Sequence, residues 1–368
     1  MSSMLSVHPL PFDPSFEQIP EDEADTIREL GEAIHTIMEK TYQDSGHAAR
    51  GVHAKSHGLL QGEIDVLDGL PPELAHGAFA KAGTFPVVLR FSTNPGDILD
   101  DKVSTPRGLA IKIIGVEGPR LPGAEGQVTQ DFVMQNAPAF TAPTPKAFLS
   151  NLKLLAKTTD KMPDFKKAFS AVLRGTEKAL EAVGTESPKL KSMGGHPLTN
   201  LLGETYYSVV PFLYGPFYAK LSMVPVSPGL TALKDALVDL DDKPNGLRES
   251  ISQHFSADGG EWEIRIQLAT DIDKMPIEDA SVVWPEDESP YRVVARVRVA
   301  AQPAWTDARA AAVDDNMAFS PWHGLAAHRP LGGVMRSRKP VYEMAKGFRG
   351  QHNGCPMHEP SSLGSLPS

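Results

Sequence analysis

Three short runs decide the fold: FPVVLRFS at 85–92, GLAIKIIG at 108–115 and DFVMQN at 131–136. Each is dense in β-branched and aromatic residues. They are separated by NPGD (94–97), STPRG (104–108) and EGPRLPGAEG (117–126), stretches rich in turn-forming residues. The same pattern returns downstream at 205–226, at WEIRIQLA (262–269), at Ala280 to Trp284 and at YRVVARVRVAA (291–301). In the last run Val293, Val294, Val297 and Val299 interleave with Arg296 and Arg298, the alternation of a half-solvated strand. Strand follows strand without a regular helix between, which suits an antiparallel sheet or closed barrel and disfavours a parallel βαβ fold.

Helical spacing is confined to two places. Glu21 to Tyr42 carries Ile27, Leu30, Ile34, Ile37 and Met38 on one face, with acidic residues at its start and Lys40 near its end. Pro145 to about Val183 repeats the pattern through Phe148, Leu152, Leu155, Phe165, Phe169, Val172 and Leu180, with a break near Met162-Pro163. The class expected is therefore α+β.

Composition excludes several alternatives. The chain has 368 residues, and 36 Lys+Arg against 46 Asp+Glu leaves a net charge of −10. That balance argues against a dedicated nucleic-acid binder, which needs clustered cations. An apolar share of 41% is too high for a disordered chain, and at this length roughly 75% of the extended surface is buried on folding. One cysteine, Cys355, forms no intrachain disulfide. No secretory signal and no 18-residue apolar run is visible, so a cytoplasmic protein is expected.

The chemistry-bearing residues fall in separated fragments. RGVHAK spans 50–55, and TFPVVLRFST (84–93) is followed by PRGLAIK (106–112). DFVMQNAPAF spans 131–140, and RKPVY (338–342) has Arg349 seven residues beyond its tyrosine. His53 and His57 sit four apart, as zinc ligands on one helical face would, but the glutamate of H-E-x-x-H is lacking. Taken alone, Arg90 reads equally well as a strand cation paired with Asp97 or Asp100, and Asn136 as a strand-ending turn residue.

In this order, the fragments resemble the haem-dependent catalases, and in particular the short catalase-related, peroxidase-like group. The resemblance implies a catalase-like antiparallel β-barrel with an N-terminal helix and inserted helices, binding haem b. It implies an arm and helix over 1–45, a barrel over 46–349 with a helical insertion at about 145–185, and a flexible tail over 350–368 that contains Cys355, Met357 and His358. Only 26 residues follow Tyr342 (368 − 342), so the C-terminal helical domain and the NADPH site of large catalases are expected to be lacking.

By the same resemblance His53 is the distal histidine, Asn136 the distal asparagine and Ser92 the serine that orients His53. Tyr342 is the iron-ligating phenolate, and Arg338 the cation that keeps it charged. Arg50, Arg90 and Arg349 clamp the propionates, while Val52, Phe140 and Phe148 complete the cofactor pocket. Where many catalases carry a second phenylalanine after N-x-P-x-F, this chain has Thr141, which thins that aromatic wall.

Elementary chemistry runs alongside. A phenol with a reference pKa near 10 stays anionic at neutral pH only beside a cation or metal. One neutral imidazole can take a proton from one peroxide oxygen and return it to the other. An amide such as that of Asn136 can stabilise the separated charge, and arginine forks match carboxylates.

The function expected is consumption of hydrogen peroxide or an organic hydroperoxide together with a small organic reductant, as a peroxidase, a catalase or both. The alternatives are rearrangement or cleavage of a fatty-acid hydroperoxide, and haem binding without turnover. A homo-oligomer is compatible with a large β-rich core.

Overall fold

The runs at 85–92, 108–115 and 131–136 are central to three consecutive strands of one antiparallel sheet. In the computed structural model, which describes residues 8–94, 96–158, 197–354, 357 and 359–368, they lie in β2 (Gly83–Thr93), β3 (Arg107–Ile114) and β4 (Thr129–Gln135). β1 (Lys55–Val66) precedes them and pairs with β2 along its whole length. Its residues lie upstream of the point where the sequence begins to read as strand. A bulge in β1 between Ser56 and Gly58 sits beside the functional residues described below.

The expected 205–226 run divides into β5 (Tyr206–Tyr207), β6 (Phe212–Tyr214) and β7 (Phe217–Pro225). β8 (Gly260–Leu268) and β9 (Arg292–Val299) follow. β4 pairs with β5, β5 with β7, β7 with β8, β8 with β9, and β9 returns to β1. Those pairings close an eight-stranded antiparallel ring of β1, β2, β3, β4, β5, β7, β8 and β9, with β6 hairpinned onto β7 as a spur.

Alternation along β2 sorts its side chains to two faces. Val87, Leu89 and Phe91 enter the barrel core with Leu60, Ile111, Met223 and Trp262. Val88 joins a separate cluster outside the barrel with Leu59, Ala110, Val313 and Phe319. Both faces are thus covered, which explains why GLAIKII, apolar but for Lys112, is buried throughout.

Over that outer face lies a helical layer. α1 (Glu23–Ser45) presents Leu30, Ile34 and Met38, spaced four apart, to Leu149 and Leu152 of α2 (Pro145–Thr158) and to Phe348 of α4 (Gly333–His352). α3 (Gly246–Ala257) packs Ile251 and Phe255 into the barrel core. The part of the expected helical insertion beyond Thr158 falls outside the described residues.

Two expectations are corrected. Ala280 to Trp284 is not a strand: Trp284 is buried in a loop, edge-on to Tyr218 and under the Lys220 ammonium. Ala280 and Trp284 are buried by packing without a ladder partner, while Val283 stands exposed. The tail is not a free one either. α4 runs through Gly350 to His352, Met357 and Leu366 are buried, and Leu363 and Leu366 join the cluster outside the barrel.

A histidine is enclosed in aromatic rings at one point in the core. The His328 ring lies 5.5–5.8 Å from the centroids of Phe79, Phe132, Phe212 and Tyr214. Its Nε2 accepts the Ala78 amide at 2.9 Å, so that nitrogen carries no proton. Burial pushes its pKa down to about 4. The unfolded chain, with a histidine near 6.5, then binds the proton that the folded chain refuses. Stability is complete above about pH 6.5 and falls towards pH 4, by on the order of 3 kcal/mol. His53 and His57 act with the same sign. We expect urea midpoints measured between pH 7 and 4.5 to decline less steeply in His328→Phe than in the unaltered chain, and equal slopes would refute this account.

Candidate active site

A cavity of about 880 Å³, counting the space at its mouth, is lined by residues from the barrel side, α1 and α4. The barrel side supplies Arg50, Val52, His53, Arg90, Ser92 and Gly108, and α4 supplies Tyr342 and Arg349. Chain segments nearly 300 residues apart in sequence thus meet around one space.

His53 has φ +52°, the left-handed region that non-glycine residues rarely adopt. Its Nδ1 is 3.3 Å from Ser92 Oγ, whose hydroxyl donates to Gly108 O at 3.4 Å. With that proton committed to the carbonyl, Oγ accepts from Nδ1–H, and Nε2 keeps its lone pair. A Cβ on Gly108 would fall 2.6 Å from His53 Nδ1 and 3.1 Å from Ser92 Oγ, so the glycine of PRG makes room for the pair. Burial, then Arg90 and Arg338, bring His53 down to about 3. The sequence argument placed this imidazole near its working pH; the structure holds it firmly neutral.

The arginines gather on one carboxylate. Asp314 Oδ1 accepts from Arg50 Nη1 at 2.8 Å and Arg90 Nε at 2.6 Å, and its backbone oxygen accepts from Arg349 Nη1 at 2.6 Å. Ser56 Oγ donates to Oδ2 at 2.6 Å and itself accepts from Trp305 Nε1 at 2.9 Å. Arg90 therefore pairs with Asp314 and not with Asp97 or Asp100. Asp314 lies on a single π turn, Ala311–Asp315, a geometry that widens the helix enough to turn a side chain aside. Burial alone would raise Asp314, but Arg90, Arg50 and Ser56 together bring it down to about 2.

One carboxylate does not balance this set. Three arginines against Asp314 and its neighbour Asp315, whose charge also reaches Arg50 and Arg349, sum to +3 − 2 = +1. Arg349 Nε is buried without a hydrogen-bond partner among the described residues. Burial and the neighbouring Arg90 push Arg349 down to about 10, and Arg50 is pushed down by burial, Arg90 and Arg349. Cations crowded in this way favour an anion beside them, and a carboxylate-bearing ligand suits both the excess positive charge and the open donor. The set therefore fits the propionates of a haem.

The other expected residues stand differently. Arg338 lies with its guanidinium 5.6 Å from the Tyr342 ring centroid, and Phe140 packs on Phe148 at 5.2 Å beside the helical layer. Asn136, at the end of β4, is not in the cavity wall: its Oδ1 accepts the Arg107 amide at 3.0 Å and its Nδ2 donates to Glu204 at 3.3 Å. Sequence reading missed Asp314 and Glu204. Neither carries a local motif; each is found only by asking which carboxylate meets a buried arginine or amide.

No protein-family model matches the sequence, and neither does any curated protein. Solved structures do. A fungal catalase superposes with TM-score 0.59 at 17% identity, covering 97% of this chain and 68% of its own. A bacterial catalase gives 0.57 at 15%, covering 99% and 70%, and catalase A from Saccharomyces cerevisiae 0.59 at 17%, covering 100% and 78%. The fold is the catalase fold. At these identities the likeness is one of architecture, and the case for the site rests on the side chains above. No helix among the described residues is long and apolar enough to cross a membrane.

Within this catalase fold, Asp314→Ala leaves Arg50 and Arg90 without their shared carboxylate, while Arg349 keeps its bond to the backbone oxygen. A loss on the order of 3 kcal/mol in urea unfolding is expected, partly restored by added dicarboxylate. Unchanged stability would show that the arginines are satisfied by backbone carbonyls alone.

Proposed function

We propose that the chain is a haem-dependent enzyme that consumes hydroperoxides, acting as a peroxidase on small organic donors, as a catalase, or as both. The observation that carries this is the net positive cluster of Arg50, Arg90, Arg349, Asp314 and Asp315, with an open donor on Arg349, on a cavity that also holds a neutral imidazole and a tyrosine. The three arginines would hold the propionates of a haem and Tyr342 its iron. Once bound, the haem supplies the two-electron redox chemistry that cleaves an O–O bond.

The chain's own residues then divide the remaining work. His53 Nε2 takes a proton from the peroxide oxygen that would face the iron and returns it to the departing oxygen. Ser92 holds the Nδ1–H edge so that this lone pair faces the cavity. Burial and the nearby arginines hold the imidazole below its usual pKa, so it starts neutral with a lone pair free to accept the proton. Asn136 shares its NH₂ with Glu204, so in this reading the proton transfer rests on His53. Arg338, with its guanidinium over the Tyr342 ring, would add positive charge near a phenolate formed on binding iron.

Haem reconstitution followed by oxygen release from hydrogen peroxide and oxidation of a phenolic donor tests the proposal. Fully loaded protein inactive in both assays would refute it. His53→Ala should lower turnover by about 10²–10⁴-fold with the haem retained. Tyr342→Phe should change the ferric absorption spectrum or abolish tight binding, and an unaltered spectrum would remove Tyr342 as the ligand.

A further inference from the structure

Behind the cavity wall, and reaching it through His323, lies a second charged group that none of this uses. Lys112 Nζ contacts Asp131 Oδ1 at 2.7 Å and Glu359 Oε2 at 2.6 Å, and all three side chains are at most 5% exposed. His323, which lines the cavity, turns its Nδ1 to Glu359 Oε1 at 3.1 Å and Asp131 Oδ2 at 3.3 Å. Although burial opposes it, hydrogen bonds to Asp131 and Glu359 raise the pKa of His323. With the imidazole protonated the group is two cations on two anions, complete in itself. A metal ion at Asp131, His323 and Glu359 would have to displace the Lys112 ammonium, which already lies between the carboxylates.

Glu359 is the only member of this group outside the barrel and its loops; it comes from the C-terminal segment. It also accepts from Thr129 Oγ1 at 2.8 Å. Eight residues on, Arg309 Nε donates to Pro367 O at 2.6 Å, and the Leu366 amide donates to Gln61 Oε1 at 2.9 Å. Between these anchors Leu363 and Leu366 pack in one cluster with Ala110, Val133 and Phe319, which line the cavity. Arg309 stands two residues before the π turn that carries Asp314.

We propose that residues 359–367 form a strap that shapes the cavity, and that Glu359 is its positioning residue. Glu359 fixes His323 in the wall, while Pro367 steadies the segment that presents Asp314 to the arginines. What the cavity holds rests on the haem reading above; the strap itself does not.

The test uses the full chain with Glu359→Leu and Glu359→Gln. Two readouts need no haem: the imidazole nitrogen resonances of His323 and hydrogen exchange at the Leu366 amide. The third is haem loss from loaded protein to excess apomyoglobin. Glu359→Leu should shift the His323 signals, speed Leu366 exchange at least 10-fold and speed haem loss at least 10-fold. Glu359→Gln, which keeps the shape and loses the charge, should fall between. An unmoved His323 signal with unchanged exchange overturns the strap, as does faster exchange with unchanged haem loss. If the unaltered chain takes up no haem, the functional proposal fails and the strap is judged on the two apoprotein readouts alone.

Discussion

Three arginines around one carboxylate are the constraint on which the site depends. Arg50 precedes β1, Arg90 lies in β2, Arg349 ends α4, and Asp314 follows β9 on its π turn. Buried guanidinium groups repel one another unless an anion lies among them. Asp314 supplies one such anion and so ties the barrel, the segment after it and the final helix together. The positive charge that remains after Asp314 and Asp315 are counted is what suits the place to an anionic ligand as well as to a structural joint.

The polar layer around the cavity is arranged so that each neutralised group does one thing. The Lys112, Asp131, His323 and Glu359 set balances its own charge and holds a wall in place. Arg336, bound by Glu17, Glu23 and Glu278, fastens the start of α4, whose first amide also donates to Glu278, and leaves excess negative charge on this partly exposed side. The arginine cluster is left unbalanced. In a low-dielectric interior an uncompensated charge is costly, so the imbalance locates the ligand more sharply than the shape of the cavity does.

Legibility followed the locality of each signal. β2, β3 and β4 were readable because β-branched runs alternate with turn residues. β1 was not, because KSHGLLQGEIDV carries two glycines and polar residues that look like loop. The reason is steric: a Cβ on Gly62 would sit 2.3 Å from the Arg298 carbonyl of the neighbouring strand β9, so glycine is what permits the pairing. Ala280 to Trp284 misled in the opposite direction, since apolar residues buried by a loop have the composition of a strand. The C-terminal segment was read as a tail because its Gly, Pro and Ser content is that of one, while its anchors are single residues that meet partners about fifty to three hundred positions away.

The sequence by itself determined the strand-rich class, the two helical regions, and the fragments holding His53, Ser92, Arg50, Arg90, Tyr342 and Arg349, because each depends on spacing within a few residues. Only the tertiary structure decided that the sheet closes, since closure hinges on the brief pairings of β5. It alone showed that Asp314 is the partner of the arginines, that Asn136 is engaged by Glu204, that His53 is held neutral, and that Glu359 backs His323 of the cavity wall. Each of these is a matter of burial and of charges brought together from distant parts of the chain, and local spacing carries no trace of either.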